Sequence, residues 1–113
     1  MRIGAQTMES LKGAKRAEFE SRVVDHLQRV YPYITFELSD EQVKSRVHAA
    51  VDRGKAHGLR SERDLVTYVD LSFELGDGFE QSLDWARAIF DDPSLDPAAR
   101  MHRVRSLVYG IEG

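Results

Sequence analysis

An all-α fold is what this 113-residue sequence predicts, and three observations predict it. Apolar residues recur at helical spacing along most of the chain. Capping signals bracket those stretches: Thr7, Ser39, Ser61, Ser82 and Asp96 stand before them, and Gly58, Gly76 or a proline stands after them. Only one run, from Ile34 to Leu38, alternates as a strand would, and a lone strand has nothing to pair with. The expected architecture is a compact bundle of about five helices, one domain over residues 1–113, built around a central apolar helix, Leu65–Leu75.

The first helix is expected from Met8 to about Val30, capped by Thr7 and preceded by a frayed segment over 1–6. Phe19, Val23, Leu27 and Val30 give its second half an apolar face. In its first half Met8 and Leu11 point away from that face, and Gly13 weakens the helix by about 1 kcal/mol relative to Ala. Lys12, Lys15 and Arg16 make this part basic, which fits either a solvated end or an arm that touches another chain. Pro32 disfavours helical geometry at Tyr31. The alternation that follows reads as an extended linker that lays Ile34, Phe36 or Leu38 into the core.

Ser39 and Gln42 form a capping box for the second helix, with Asp40 and Glu41 in its first turn. Val43, Val47, Ala50, Val51 and Gly54 make a narrow stripe whose small residues admit a close helix neighbour. His57 and Gly58 suit its C-terminal end, and Leu59 supplies the accompanying apolar contact. In the central stretch Ser61 is the N-cap and Asp64 can reach back. Leu65, Val66, Val69 and Phe73 share one side, and Tyr68, Leu71 and Leu75 another. Thr67, Asp70 and Glu74 leave a polar strip only about 60° wide. A helix apolar almost all round is a buried one. Gly76 and Gly78 then supply permissive backbone for a turn.

Ser82 is expected to cap a helix to about Phe90, with Leu83, Ala86, Ile89 and Phe90 on one face and Trp85 at its edge. Asp91-Asp92-Pro93 stops it. Asp96 and Pro97 start the last helix, whose apolar face is Met101, Val104, Leu107, Val108 and Ile111, with Arg100, Arg103 and Arg105 mostly outside it.

Composition narrows function more than motifs do. The chain is 42% hydrophobic and 31% charged, with a formal net charge of −3. That balance argues against a nucleic-acid binder, which needs a basic stripe. With no cysteine there is neither a disulfide frame nor a thiol-ligated zinc. The start, MRIGAQTMES, lacks the apolar segment of an export signal, and no stretch reads as a membrane span, so a cytoplasmic setting is expected. His26, His48, His57 and His102 have no ligand spacing, and neither G-x-S-x-G nor a phosphate-binding glycine motif occurs. Asp77 and Glu80 lack the alternate acidic array of a calcium loop. No enzymatic activity, cofactor or metal is expected. A helix-turn-helix reading of residues 39–75, as a DNA-binding protein, is the less favoured alternative, because the second helix carries no Arg, Asn or Gln after Arg63 to read bases.

Binding of another protein remains. Met8, Leu11, Lys15 and Arg16 on the first helix, with Asp77, Phe79 and Trp85 after the central one, are the residues expected to meet a partner; Tyr33 is a further surface aromatic. Phe79 and Trp85 fit equally as core residues.

Three segments carry a resemblance over most of the chain: EFESRVVDHLQRVYP, HGLRSERDLVTYVDLSFELGDGFE and DWARAIFDDPSL, the last followed by an Arg-rich helix. The best marked part is the G-[LI]-x-S-E-R-D … D-L … G-x-x-F run from Gly58 to Phe79. In these the chain resembles small helical accessory proteins encoded in bacterial type VI secretion gene clusters, beside spike proteins, effectors and effector chaperones. The resemblance implies an adaptor or co-chaperone that helps load an effector onto the spike, with an effector, its chaperone or the spike protein as partner. An immunity protein that blocks a neighbouring toxin would share this size and setting. The expectation includes no nucleic-acid or membrane partner and leaves a homodimer open.

Overall fold

The computed structural model describes the backbone of residues 3–110 and the side chains of residues 15–110. It is all-helical, with no strand among the described residues. Among the described residues seven helices follow in order: α1 (Ile3–Val30), α2 (Pro32–Thr35), α3 (Asp40–Ala56), α4 (Glu62–Leu75), α5 (Phe79–Ser82), α6 (Asp84–Phe90) and α7 (Pro97–Tyr109). The five long elements expected from the sequence are all present; α2 and α5 are the additions, each a single turn. No described helix is long and apolar enough to cross a membrane. Contacts group the chain into two units, residues 1–48 and residues 49–113, which divide within α3.

In the first unit α1 begins at Ile3, four residues before the expected cap Thr7. Ala5 and Gln6 favour helix, and neither Gly4 nor Gly13 breaks it. Residues 1 and 2 of the expected frayed segment lie outside the described residues. Phe19, Val23, Val24 and Leu27 are buried, as are Val43 and Val47 on α3. Gln28 Nε2 donates to Asp40 Oδ1 at 3.1 Å, tying α1 to the start of α3. The capping box is complete: Ser39 N donates to Gln42 Oε1 at 2.8 Å, and Gln42 N to Ser39 Oγ at 3.1 Å.

Pro32 interrupts α1 as its chemistry requires, leaving Tyr31 outside helical geometry at φ −123°, ψ 54°. The segment beyond is not the expected extended linker. Pro32 takes the first position of a new turn, where its missing N–H costs nothing. Phe36 N and Thr35 N close that turn onto Pro32 O and Tyr31 O. Helical register then overrides alternation: Thr35 faces inward while Phe36 is 79% exposed.

In the second unit α4 is the most deeply set element, with nine of its fourteen residues buried. Ser61 caps it as expected, accepting from Asp64 N at 3.0 Å. The Asp64 carboxylate does not reach back. It accepts instead from Arg105 on α7 at 2.7 Å, in a pair whose side chains are only 10–11% exposed. Arg105 therefore faces inward, contrary to the expected outer position, and Leu107, expected inside, is 60% exposed. One inward arginine turns α7 enough to carry Leu107 out while Met101 and Val104 stay buried. Ile111 lies outside the described residues.

The polar strip on α4 is also mostly enclosed. Thr67 and Asp70 are buried and only Glu74 is exposed, together with Leu75. Ser82 caps nothing; its hydroxyl donates to Gly78 O at 3.3 Å within α5, and Leu83 precedes α6. Asp96 caps α7 through Ala99 N at 2.8 Å, as expected.

Gly54 provides the anticipated close approach. A Cβ there would stand 2.9 Å from Leu65 Cδ2 and 3.4 Å from Tyr68 Cδ2. Gly54→Val is expected to destabilise the protein by about 2 kcal/mol through this overpacking, read from the shift in urea midpoint; an unchanged midpoint would show that α3 and α4 are not closely apposed there.

Candidate interaction site

The end of α3 closes in a glycine ending: Gly58, at φ +86°, lets its N–H reach Lys55 O at 2.9 Å while Leu59 N reaches Gly54 O at 3.1 Å. That ending sets His57 over the second unit's aromatic cluster. Its ring lies 5.0 Å from the Phe90 ring and 5.8 Å from the Tyr68 ring, centroid to centroid. Tyr68 and Phe79 are 5.4 Å apart, and both are wholly buried.

At the centre is Glu80, 3% exposed. Its Oε2 accepts from Tyr68 Oη at 2.5 Å and from His57 Nε2 at 2.7 Å. An ionised carboxylate only accepts, so His57 carries a proton on Nε2. Burial alone would raise the Glu80 pKa, but the hydrogen bonds from Tyr68 and His57 outweigh it and hold the carboxyl below its ordinary value. Burial, then the bond to Glu80, drives the Tyr68 phenol well above its usual range. Arg53 stands beside the same phenol and donates to Asp77 Oδ1 at 3.0 Å. These contacts join the end of α3, the middle of α4, the Gly76–Gly78 turn and α5. The arrangement is a clamp: its phenol and carboxylate are closed off from solvent and hold three elements together.

The clamp accounts for two of the residues expected at an interface. Phe79 is fully buried, so it is a core residue and not an exposed anchor. Asp77 is exposed but paired with Arg53. Trp85 is half-buried. In the first unit Lys15 is exposed, whereas Arg16 is half-buried, donating to Glu20 and to His48 O. Met8 and Leu11 fall where side chains lie outside the described residues. The sequence hinted at the clamp only through Glu80 beside the Gly-Asp-Gly turn. Its partners lie 12 and 23 positions away, at no motif spacing.

The surface instead exposes other large apolar groups. Val30, Tyr33 and Phe36, at 49, 70 and 79% exposure, form the corner where α1 passes into α2. Leu107 and Tyr109, at 60 and 41%, stand on the last turns of α7. Of these, Tyr33 alone was read as a surface aromatic in the sequence. Among the described residues no group of three or more His, Asp or Glu side chains is placed to hold a metal. The exposed residues of α4 are Glu62, Arg63, Glu74 and Leu75, two acids, one base and one apolar group at its two ends, which leaves no base-reading face along the helix.

Comparison of the chain with protein-family models, with curated proteins and with solved structures finds no match.

Proposed function

We propose that this protein acts by binding other proteins, as a non-enzymatic adaptor or co-chaperone that helps present an effector to a type VI secretion spike. The observation that carries the binding role is the pair of exposed apolar sets, Val30–Tyr33–Phe36 in one unit and Leu107–Tyr109 in the other. Aromatic and aliphatic groups set among charged residues are the usual anchors of protein interfaces. What supports the secretion setting is the resemblance of the Gly58–Phe79 run and its flanks, and the negative net charge fits a protein partner better than nucleic acid. An immunity protein would present such anchors to a single toxin; the resemblance of the Gly58–Phe79 run favours the adaptor.

Leu107→Ser together with Tyr109→Ser tests the client surface. Both positions are exposed, so the helical circular dichroism should stay unchanged, while recovery of the effector with the tagged protein falls at least tenfold, about 1.4 kcal/mol of binding. Undiminished recovery would remove α7 from the interface.

A further inference from the structure

The turn between α4 and α5 reads Gly76-Asp77-Gly78. It is the only place in the chain where an aspartate precedes a glycine, and the chain has no asparagine. Gly76 and Gly78 both hold positive φ, +104° and +77°, and a Cβ built on either would meet nothing within 4 Å, so the turn stands in open space. The Asp77 side chain is 54% exposed. The turn closes through Phe79 N, which donates to Gly76 O at 3.2 Å; among the described residues the Gly78 N–H donates to no acceptor. The Asp77 carboxylate is held from α3, where Arg53 donates to its Oδ1 at 3.0 Å.

We propose that Asp77–Gly78 is a site of spontaneous covalent modification, where aspartate isomerises to isoaspartate, and that Arg53 restrains the step. The Gly78 nitrogen attacks Cγ of Asp77. The N–Cγ bond forms, and the proton of the nitrogen leaves with the carboxyl hydroxyl as water, closing a succinimide ring. Water then adds to the main-chain carbonyl carbon of Asp77, and the old peptide bond from that carbon to the nitrogen breaks. The nitrogen stays on Cγ, and the former main-chain carbonyl becomes a free carboxylate. One water leaves and one enters, so the mass is unchanged and no oxidant or reductant takes part. The fold leaves this path open. Gly78 has no Cβ to shield its nitrogen, and its N–H has no hydrogen bond to break. A glycine on either side lets the turn bring Cγ to that nitrogen. Arg53 opposes the approach by drawing Oδ1 toward α3. The consequence falls on the clamp. Isoaspartate adds one atom, Cβ, to the main chain of the turn and shifts the carboxylate that Arg53 grips. The wholly buried Phe79 and then Glu80, 3% exposed, follow directly, so the modified turn unseats both.

The test holds the full-length protein at neutral pH and physiological temperature for several weeks, beside a sample kept unfolded in urea. Trypsin then releases the peptide from Asp64 to Arg87, which also carries Asp70 and Asp84, and electron-transfer fragmentation reads isoaspartate position by position. Isoaspartate is expected at Asp77 and at neither Asp70 nor Asp84. Its rate in the folded protein should lie within about tenfold of the urea sample, because an exposed turn opens at little cost. Arg53→Ala should raise the folded rate about threefold, the effect of a partly exposed ion pair. Asp77→Glu, whose longer side chain must close a larger and slower ring, should give no isomer at this position. The isomerised fraction, separated by reversed-phase chromatography and refolded, should unfold at lower urea than the unmodified chain. A folded protein more than about a hundredfold slower than the urea sample would show a turn too well held to react and overturns the site. Isoaspartate at Asp70 or Asp84 in equal measure does the same. A rate unmoved by Arg53→Ala overturns the restraint, and an unchanged urea midpoint of the isomer overturns the link to the clamp.

Discussion

Leu71→Asp should abolish folding. Leu71 is wholly buried in the middle of α4, with Tyr68 before it and Ser72 and Phe73 after it along the helix, all of them buried as well. An aspartate there loses the leucine's apolar burial and must either hold an unpaired charge out of water or take up a proton. Changes of this kind cost more than about 4 kcal/mol, against a total stability of about 5–15 kcal/mol for a domain of this size. The expected result is loss of the cooperative thermal transition and of near-ultraviolet dichroism at neutral pH. A Leu71→Asp protein that melts cooperatively near the wild-type temperature would mean that α4 is not the element on which its unit is built.

The second large effect belongs to Glu80. Removing its carboxylate in Glu80→Ala leaves the buried Tyr68 hydroxyl without its acceptor and His57 without its partner, at a cost of about 3 kcal/mol. Glu80→Gln keeps one oxygen acceptor and should lose less. The two variants differ from wild type in pH response as well. The folded Glu80 carboxyl lies below its ordinary value of 4.5. Its contribution is therefore complete above about pH 4.5, the unfolded value, and disappears as pH falls through the lower folded value. Urea unfolding at neutral pH and again below pH 4 should show the gap between wild type and Glu80→Gln narrowing on acidification. A gap that is constant or widens would show that the charged form of Glu80 is not the one the clamp favours.

Four helix ends were legible because each was written locally. Ser39 and Gln42, Ser61, Gly58, and Asp96 with Pro97 announce ends within a few residues of the groups they satisfy, and each does so in the structure. Burial on α3 was legible for the same reason, since Val43, Val47, Ala50, Val51 and Gly54 share one helical face. What the sequence could not convey is set by distant partners. Whether Arg105 points out or in depends on Asp64, 41 residues earlier. Leu107 is exposed because Arg105 is not. The alternation from Ile34 to Leu38 is real as a pattern, yet one turn started by Pro32 changes which side chains it buries. Phe79 looked equally apt as anchor or core, and the rings of Tyr68 and Phe90 decide for the core.

The same reasoning explains why the exposed apolar groups were only partly foreseen. Exposed apolar groups leave the same trace in a sequence as buried ones, so Val30 and Leu107 were counted with the faces whose spacing they share. Their exposure emerges only once a proline-started turn and an inward arginine have fixed the helix ends. The exposure of Val30 and of Leu107 thus follows from two local packing choices and from no motif.

Affinity capture of the tagged full-length chain from its native cells, with identification of the bound proteins by mass spectrometry, tests the adaptor role most directly. The expected result is an effector recovered together with its chaperone or the spike protein, and lost when Leu107 and Tyr109 are changed to serine. Recovery of a single toxin whose activity is blocked would contradict the adaptor reading and identify an immunity protein instead.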